Sequence, residues 1–362
     1  MSARSRVRYI DQARYAVSHR APFDGMKRSN SPSSKAVAAE LGVSVATISR
    51  VLTRPDLVNE QTRNRVLQGI ERLGYRPNLI ARDLRRGETR TVLVVVPKLS
   101  PFFLEVLRGT EQAAEELGFA VLMGNSKGDI RRTATYFDQV SSHRADGIIL
   151  LTGVLPSGLD GPAHQFPPLV LAAETLKEST LPTVGVDHAG GAEEAVRHLI
   201  GLGHRRIAHI AGPDHVLSAR ARANGYRKAL RSSRIAFDES LIQRGDFSVE
   251  SGGKMMRVLL QQKPIPTAVF CANDEMAVGA IRAAKLAGLD VPEDLSVVGF
   301  DDQEFAELFD PALTTVHIPR FDVGYQAMMM LSEVISPPRA ARSTILPTRL
   351  IVRGTSTAPK RR

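Results

Sequence analysis

From Thr91 onward, short apolar runs of strand length alternate with amphipathic runs of helix length, and this alternation constrains the fold most. Runs such as Val92–Val96 and Ile148–Leu151 are continuously apolar, which is typical of strands buried on both faces. The alternation occurs twice, once up to Val186 and again up to Val298. We therefore predict an α/β fold with two doubly wound parallel-sheet subdomains. Ligands of such folds bind at the carboxyl ends of the strands, here in the cleft between the two halves.

A different pattern lies within residues 34–52, ahead of this alternation. Two short amphipathic runs are separated by Gly42, which can adopt the positive φ that a tight corner demands, and Ser44 is a good N-cap for the second run. The apolar spacing turns three residues inward: Ile48, Val51 and Leu52. The outer face keeps small side chains, a hydroxyl and one guanidinium: Val45, Ala46, Ser49 and Arg50. Together these features predict a small all-α helix-turn-helix head, whose second helix suits the major groove of DNA.

The net charge of +10 is concentrated in the same part of the chain. Residues 1–90 hold 18 Lys and Arg against 8 Asp and Glu, whereas residues 91–362 hold 30 of each kind. A basic head on a neutral body is typical of proteins that bind nucleic acid. The alternative is a solvated basic surface without a partner, and the helix-turn-helix pattern in the same segment favours nucleic acid.

Several other classes of protein are excluded because their sequence motifs are missing. The one cysteine, Cys271, lies in an apolar run, so we expect a buried, unreactive thiol and no disulfide framework. The sequence contains no phosphate-binding loop, no metalloprotease motif and no nucleophile elbow. We therefore expect no catalytic residues, no metal and no cofactor.

No run approaches the ~18 apolar residues of a membrane span, and no signal peptide is found. A cytoplasmic protein without a membrane partner is expected.

Several motifs resemble the LacI family of bacterial transcription regulators. They are Thr47–Leu52, Pro77–Asn78, Asp146–Ile149, Leu202–Ile207, Ala272–Asp274 and Val291–Asp302. The resemblance covers nearly all of residues 33–356 and implies a periplasmic-binding-protein-like body behind the head. Further motifs are most similar to the branch of the family that responds to cytidine: Val94–Pro97, Gly245–Phe247, Pro266–Cys271 and Ile351–Thr355.

The pattern and the resemblance together predict how the chain is divided. Residues 1–30 are expected to be a disordered basic extension, with Met26 as an alternative start. The helix-turn-helix domain covers 31–75, a hinge helix or linker covers 76–90, and an effector-binding and dimerisation domain covers 91–356. Within that domain we expect one subdomain over about 91–186 plus 318–336, a second over about 187–317 plus 345–356, and a tail over 357–362.

For DNA binding, the resemblance implies roles for ten residues. Val45 and Ala46 match base-reading positions, where their apolar side chains suit thymine methyls or shape, and Ser49 and Arg50 lie beside them. Arg50 can pair bidentately with a guanine, which contributes roughly 1–3 kcal/mol of discrimination. Four further residues match positions that contact the DNA backbone: Ser44, Thr62, Tyr75 and Asn78. Two belong to the same linker motif as Pro77 and Asn78: Ala81 and Leu84.

Leu84 is the sharpest of these assignments. The family uses a leucine at this position, from both subunits, as a wedge in the minor groove at the centre of the operator. Unstacking the bases costs a few kcal/mol and permits a bend that extends the contact. The alternative is that Leu84 simply packs on the body.

In the cleft, the resemblance implies a second set of residues. Three aromatic side chains are candidates to sandwich a flat base or a sugar face: Phe102, Phe103 and Phe247. Core packing is the alternative for each of them. Arg222 and Asp301 match a pair that grips hydroxyls or ring edges, and Ser218 and Asn273 are candidates of second rank.

Two departures from the family pattern bear on the ligand. His188 stands where the family usually has Asn, and Ala173 stands where many sugar-binding members carry Asp. Loss of that carboxylate argues against a plain hexose and favours a nucleoside, although Glu174 is a candidate to replace it.

The predicted function is therefore a DNA-binding transcriptional regulator, a repressor, that binds a pseudo-palindromic double-stranded operator as a homodimer. Its small-molecule effector is expected to be a nucleoside such as cytidine, with a sugar as the alternative. Residues 357–362 contain no leucine heptads, which favours a dimer over a coiled-coil tetramer. Two remoter alternatives are a solute-binding module, which the basic head opposes, and a nucleoside or sugar enzyme, whose motifs are missing.

Overall fold

The computed structural model describes residues 32–75, 88–152, 155–156, 167–174, 181–336 and 342–360. These residues belong to two compact units, a small head over 32–75 and a larger body over 88–360. The predicted extension over 1–30 and residues 76–87 of the predicted hinge lie outside the described residues.

The head contains three α-helices, each with a side-chain N-cap. They are α1 (Ser34–Glu40), α2 (Val45–Thr53) and α3 (Glu60–Arg72), and a 3₁₀ turn (Pro55–Leu57) joins the last two. Ser44 Oγ accepts a hydrogen bond from the Thr47 N–H at 3.0 Å, as an N-cap should. Gly42 adopts the predicted positive φ of 61° between α1 and α2. The local sequence therefore fixes the start of each helix and the corner between the first two.

The apolar core of the head joins all three helices. Its buried members are Val37, Ala38, Ile48, Val51 and Val66. The prediction that Leu52 faces inward is wrong, because 38% of this residue is exposed. At 100° per residue, Leu52 lies about 70° from the midline of the stripe formed by Ile48 and Val51. It therefore lies at the edge of the buried face.

The first lobe of the body is built on a six-stranded parallel sheet with the order β11-β5-β4-β3-β1-β2. Its strands are β1 (Thr91–Val96), β2 (Ala120–Asn125), β3 (Gly147–Leu150), β4 (Leu169–Ala172), β5 (Thr183–Val186) and β11 (Ser343–Leu346). The helices that pack on it are α4 (Pro101–Leu117), α5 (Ile130–Ser141) and α11 (Arg320–Ile335). Strands β1, β3, β4 and β5 are almost completely buried, which agrees with their continuous apolar sequence.

The second lobe repeats this plan with a four-stranded parallel sheet of order β7-β6-β8-β9. Its strands are β6 (Ile207–Ala211), β7 (Ile242–Arg244), β8 (Ala268–Cys271) and β9 (Ser296–Val298). Its helices are α6 (His188–Gly201), α7 (Leu217–Ser232), α8 (Val249–Leu259), α9 (Asp274–Leu286) and the short α10 (Phe305–Leu308). A short antiparallel pair, β10 (Thr315–His317) and β12 (Arg349–Ile351), completes the body.

The carboxyl-terminal part of the chain differs from its predicted division. Strand β11 pairs with β5, so residues 345–346 lie in the first lobe although the sequence placed 345–356 in the second. A parallel edge strand needs a partner at the sheet, and local sequence does not show which sheet offers one. Residues 357–360 are not a free tail: the Thr357 carbonyl accepts hydrogen bonds from His204 Nε2 at 2.8 Å and from the Ser296 hydroxyl at 3.0 Å.

Close contact between helices depends on small residues. A Cβ atom added to Gly109 of α4 would lie 1.9 Å from the Phe321 carbonyl oxygen of α11. A Cβ added to Gly324 of α11 would lie 1.8 Å from the Val106 carbonyl oxygen of α4. The two helices therefore approach backbone to backbone, and only glycine fits at both positions.

No single helix in the described ranges is long and apolar enough to cross a membrane. Helices α1 and α2 meet this criterion only as a pair bent by 102°, and only by length and composition.

Candidate functional site

The candidate cleft residues follow the carboxyl ends of strands in both lobes. In the first lobe, Phe102 and Phe103 follow β1, and Glu174 follows β4. In the second lobe, Phe247 follows β7, Asn273 follows β8 and Asp301 follows β9. The carboxyl edge is where parallel sheets of this kind bind ligands. The topology thus gathers residues that are far apart in sequence.

Arg222, on α7, is the centre of the polar contacts in the cleft. Its guanidinium lies over the Phe300 ring, 4.0 Å from the centroid, and its Nη1 donates to the Ala272 carbonyl. Nη2 lies 3.0 Å from Asp301 Oδ1, and both side chains are almost completely buried. The contact is an ion pair, since Oδ1 receives no hydrogen bond of good geometry. The predicted pair is therefore in contact, and one carboxylate oxygen stays available to a donor.

Burial controls the protonation of the groups around Arg222. It raises the pKa of Asp301 to about 6, against the opposing effect of the Arg222 and Arg320 charges. Burial, together with the Arg222 charge, lowers the pKa of His188 to about 3. His188 is therefore neutral at physiological pH. Its Nε2–H donates to the Ala173 carbonyl at 3.0 Å, and its Nδ1 accepts from Arg222 Nε at 3.4 Å.

Glu174 and Ser218 join the two lobes across the cleft. The Ser218 N–H donates to Glu174 Oε2 at 2.9 Å, and its hydroxyl donates to Oε1 at 2.7 Å. Burial raises the pKa of Glu174, and the Ser218 hydrogen bonds oppose that rise. The carboxylate therefore takes part in the cleft, although it occupies the position after Ala173.

The aromatic candidates lie on both sides of the cleft. Phe102 and Phe103 form an edge-to-face pair with ring centroids 5.0 Å apart, and both are half-buried against the apolar core. Core packing thus accounts for part of each ring. Phe247 is also half-buried and has a positive φ of 68°. Lys98 Nζ of the first lobe lies 5.7 Å from the centre of its ring, which is a second contact between the lobes.

Asn273 is already engaged by the protein. Its Oδ1 accepts from the Met276 N–H at 3.0 Å and so caps α9, and its Nδ2 donates to the Phe247 carbonyl at 3.2 Å. The amide therefore holds Phe247 in position, whether or not it also contacts a ligand.

Sequence reasoning missed the role of Asp302, the neighbour of Asp301. Its Oδ2 accepts from His317 Nδ1 at 2.9 Å, its Oδ1 pairs with Arg353 Nη2 at 2.8 Å, and its carbonyl accepts from Arg320 Nη2 at 2.9 Å. Asp301 and Asp302 have positive φ values of 109° and 50°. The only sequence signal was the carboxylate pair itself, which does not reveal that the two side chains have different partners.

The head presents the predicted DNA-reading residues to solvent. Val45, Ala46, Ser49 and Arg50 on α2 are all exposed. Ser44 is exposed too, while Thr62 and Tyr75 are half-buried. Three predicted residues lie outside the described part of the chain: Asn78, Ala81 and Leu84. One face of α2 is therefore free for a partner.

Comparison with known proteins identifies both units. Residues 35–78 match the family described as bacterial regulatory proteins, lacI family, and residues 196–356 match a periplasmic binding protein-like domain. The HTH-type transcriptional repressor CytR of Escherichia coli K12 is 40% identical over 335 residues, which is 92% of this chain and 98% of that protein.

Solved structures give the same result. The lac repressor dimer bound to operator and the anti-inducer ONPF superposes with a TM-score of 0.79 at 28% identity, covering 89% of this chain and 98% of that one. The complex of the transcriptional regulator CelR with cellobiose has a TM-score of 0.69 at 33% identity, covering 90% of this chain and 100% of that one. The predicted head and two-lobed body are thereby confirmed. The chain belongs to the lacI family of bacterial regulatory proteins, as a DNA-binding transcriptional regulator with an effector-binding domain rather than an enzyme.

Proposed function

We propose that this regulator is a homodimeric repressor whose affinity for a pseudo-palindromic operator is controlled by a nucleoside, such as cytidine, in the cleft between the lobes. The observation that carries the proposal is the meeting of rings and polar groups at the carboxyl edges of both sheets. Phe103 and Phe247 follow strands of opposite lobes, and Arg222 and Asp301 form a buried pair in the second lobe. A flat base needs apolar faces, and its edge and sugar need a few fixed donors and acceptors.

The nucleoside is favoured over a sugar by two observations. Ala173 supplies no carboxylate at the position where many sugar-binding relatives have one, and the relative named CytR shares 40% of its residues over nearly the whole chain. The sugar remains the alternative effector, since a structural neighbour, CelR, is a cellobiose complex.

Effector control requires that the ligand favour one arrangement of the two lobes. Contacts that cross the cleft make the closed and open arrangements differ in energy, because these contacts form only when the lobes are close. Glu174 with Ser218, and Lys98 with Phe247, are contacts of this kind. We propose that nucleoside binding shifts the population of lobe arrangements and acts as an inducer. That shift then decides whether the linker over 76–90 can pair on DNA.

The proposed DNA contacts divide into reading and positioning residues. Val45 and Ala46 contact thymine methyls, and Arg50 pairs with a guanine. The positioning residues contact the DNA backbone: Ser44, Thr62, Tyr75 and Asn78. Ser44 Oγ accepts the Thr47 N–H and shares a second hydrogen bond with Thr47 Oγ1 at 2.9 Å; when Thr47 is the donor of that bond, the Ser44 hydroxyl hydrogen can be donated to a phosphate.

Exposed apolar side chains support the homodimer. In the second lobe, Leu286, Leu308 and Phe309 are 78%, 83% and 40% exposed. They belong to neighbouring segments, because Lys285 Nζ donates to the Asp310 carbonyl at 3.2 Å. In the first lobe, the edge strand β2 exposes Leu122 and Met123. Apolar patches on both lobes are typical of a surface that a second copy covers.

A thermal-shift screen of the full chain against nucleosides, free bases and common sugars tests the effector. A ligand at about 100 times its dissociation constant adds about 2.7 kcal/mol to the free energy of unfolding. We expect a shift with pyrimidine nucleosides and none with sugars. Phe247→Ala should abolish the shift, while Phe237→Ala, an exposed ring on the same lobe, should preserve it. A shift with sugars alone would replace the nucleoside in the proposal.

The DNA contacts are tested by Leu84→Ala. We expect weaker specific operator binding in a gel-shift assay, because the wedge is shortened, and an unchanged affinity for cytidine. Equal loss of both affinities would indicate misfolding and contradict the assignment.

A further inference from the structure

Glu174 occupies the amino-terminal end of a helix in the opposite lobe. Helix α7 follows Val216, which supplies no side-chain cap. The N–H of Ser218, in the first turn of α7, instead donates to Glu174 Oε2 at 2.9 Å. The free N–H groups and the dipole at a helix start attract anions. A carboxylate of the protein therefore fills the place that an anionic group of a ligand would take.

The guanidinium groups that would attract an anion are also engaged: Arg320 Nη2 donates to the Asp302 carbonyl at 2.9 Å. The guanidinium of Arg222 donates to the Ala272 carbonyl, lies 3.0 Å from Asp301 Oδ1 and is covered on one face by the Phe300 ring. A phosphate needs a guanidinium fork with free N–H groups. Neutral His188 offers no positive charge in its place.

The Glu174 carboxylate also balances the buried positive charge of the cleft. The buried groups here are two guanidiniums, of Arg222 and Arg320, and two carboxyl groups, of Glu174 and Asp301. Since Asp301, with a pKa of about 6, is mostly ionised at pH 7, an ionised Glu174 brings the sum of these charges to zero, and an uncharged side chain at position 174 leaves one net positive charge. Arg220 and Lys98 are exposed, so water and salt screen their charges.

We infer that Glu174 selects the charge of the effector, so that the cleft accepts an uncharged nucleoside and rejects its 5′-phosphorylated form. This inference rests on the proposed nucleoside effector. It assigns a specificity role to a residue that replaces, one position along the chain, the carboxylate that Ala173 lacks.

Isothermal titration of the full chain with cytidine and with cytidine 5′-monophosphate tests the inference. For the wild type we expect cytidine to bind at least about 100-fold more tightly than the nucleotide. Glu174→Gln keeps the shape of the side chain, and its amide oxygen still accepts from Ser218. In this variant we expect the ratio of the nucleotide dissociation constant to the cytidine dissociation constant to fall by tenfold or more, about 1.4 kcal/mol. The fall should come mainly from tighter binding of the nucleotide.

Two further variants separate charge from structure. Glu115→Gln removes an exposed carboxylate about 18 Å along α4 from Phe103, given the rise of an α-helix, and should leave the ratio unchanged. Ser218→Ala removes a hydrogen bond but keeps the carboxylate, so it should still reject the nucleotide. An unchanged ratio in Glu174→Gln, or equal binding of both ligands by the wild type, would overturn the inference. A wild type that binds neither ligand would instead overturn the nucleoside effector, and the inference with it.

Discussion

Replacing Arg222 with methionine removes the only guanidinium in contact with Asp301 among the described residues, while keeping most of the apolar stem. The substitution leaves the Asp301 carboxyl and the Ala272 carbonyl buried without their partner. Effector binding should be lost as well, since the pair lies in the proposed cleft.

The expected cost follows from the state of the carboxyl. Removing one partner of a buried ion pair costs ~3–5 kcal/mol. The pKa of Asp301 is about 6 even with Arg222 present. Without the arginine, the Asp301 carboxyl can therefore take up a proton, and each unit between the solution pH and its pKa corresponds to about 1.4 kcal/mol. We therefore expect a loss of about 3 kcal/mol at pH 7, near the lower end of that range.

The dependence on pH has a definite sign. Asp301 has a raised pKa in the folded state, so its proton is bound below about pH 6 and lost above it. The unpaired charge therefore destabilises Arg222→Met more at pH 8 than at pH 5.5, where the carboxyl is mostly protonated in both proteins.

Urea unfolding followed by far-ultraviolet circular dichroism measures this loss, since the chain has no tryptophan. The double variant Arg222→Met/Asp301→Asn removes the unpaired charge and should regain about 1–2 kcal/mol at pH 8. A double variant no more stable than Arg222→Met, or an equal loss at pH 5.5 and pH 8, would refute the reasoning.

Three other outcomes are expected. Gly324→Ala brings a Cβ to 1.8 Å from the Val106 carbonyl oxygen and should lower the unfolding free energy in urea by ~1–3 kcal/mol or more; Gly201→Ala, which points into open space, is the matched control and should not destabilise. Burial lowers the folded-state pKa of His209 to about 4, so the free energy of unfolding of the wild type should fall by up to about 3 kcal/mol as pH falls from about 6.5 to 4. In His209→Phe, the free energy of unfolding should depend less steeply on pH in that window, and an equal slope would exclude His209 as the source of the dependence. Arg50→Ala should weaken operator binding by about 1–3 kcal/mol in a gel shift at fixed salt, with cytidine affinity unchanged; loss of both would contradict a role in base reading.

Features encoded within a few neighbouring residues were predictable from the sequence. The strands of both lobes are apolar runs, and the corner at Gly42 with the cap at Ser44 has a short-range signal. Leu52 marks the limit of this approach: helical spacing identifies a buried face but does not define its edge. How far burial extends depends on the packing of other helices.

The polar contacts of the cleft were less accessible, because they join residues distant in sequence. Glu174 and Ser218 are 44 residues apart and follow strands of different sheets. The sequence suggested Glu174 as a replacement carboxylate, but its role as a cap for the opposite lobe requires the folded chain. Strand β11 is a similar case, since its partner β5 lies far upstream. Parallel pairing leaves no local turn that would disclose it.

Asp301 and Asp302 are consecutive, yet the first contacts Arg222 in the cleft and the second contacts His317 and Arg353. A single peptide unit joins the two, and both residues hold a left-handed backbone. A designer who grafts the cleft of another family member into this chain must therefore transfer both aspartates and their partners as one block. Ligand preference and the conformation of this backbone segment therefore cannot be changed independently of each other.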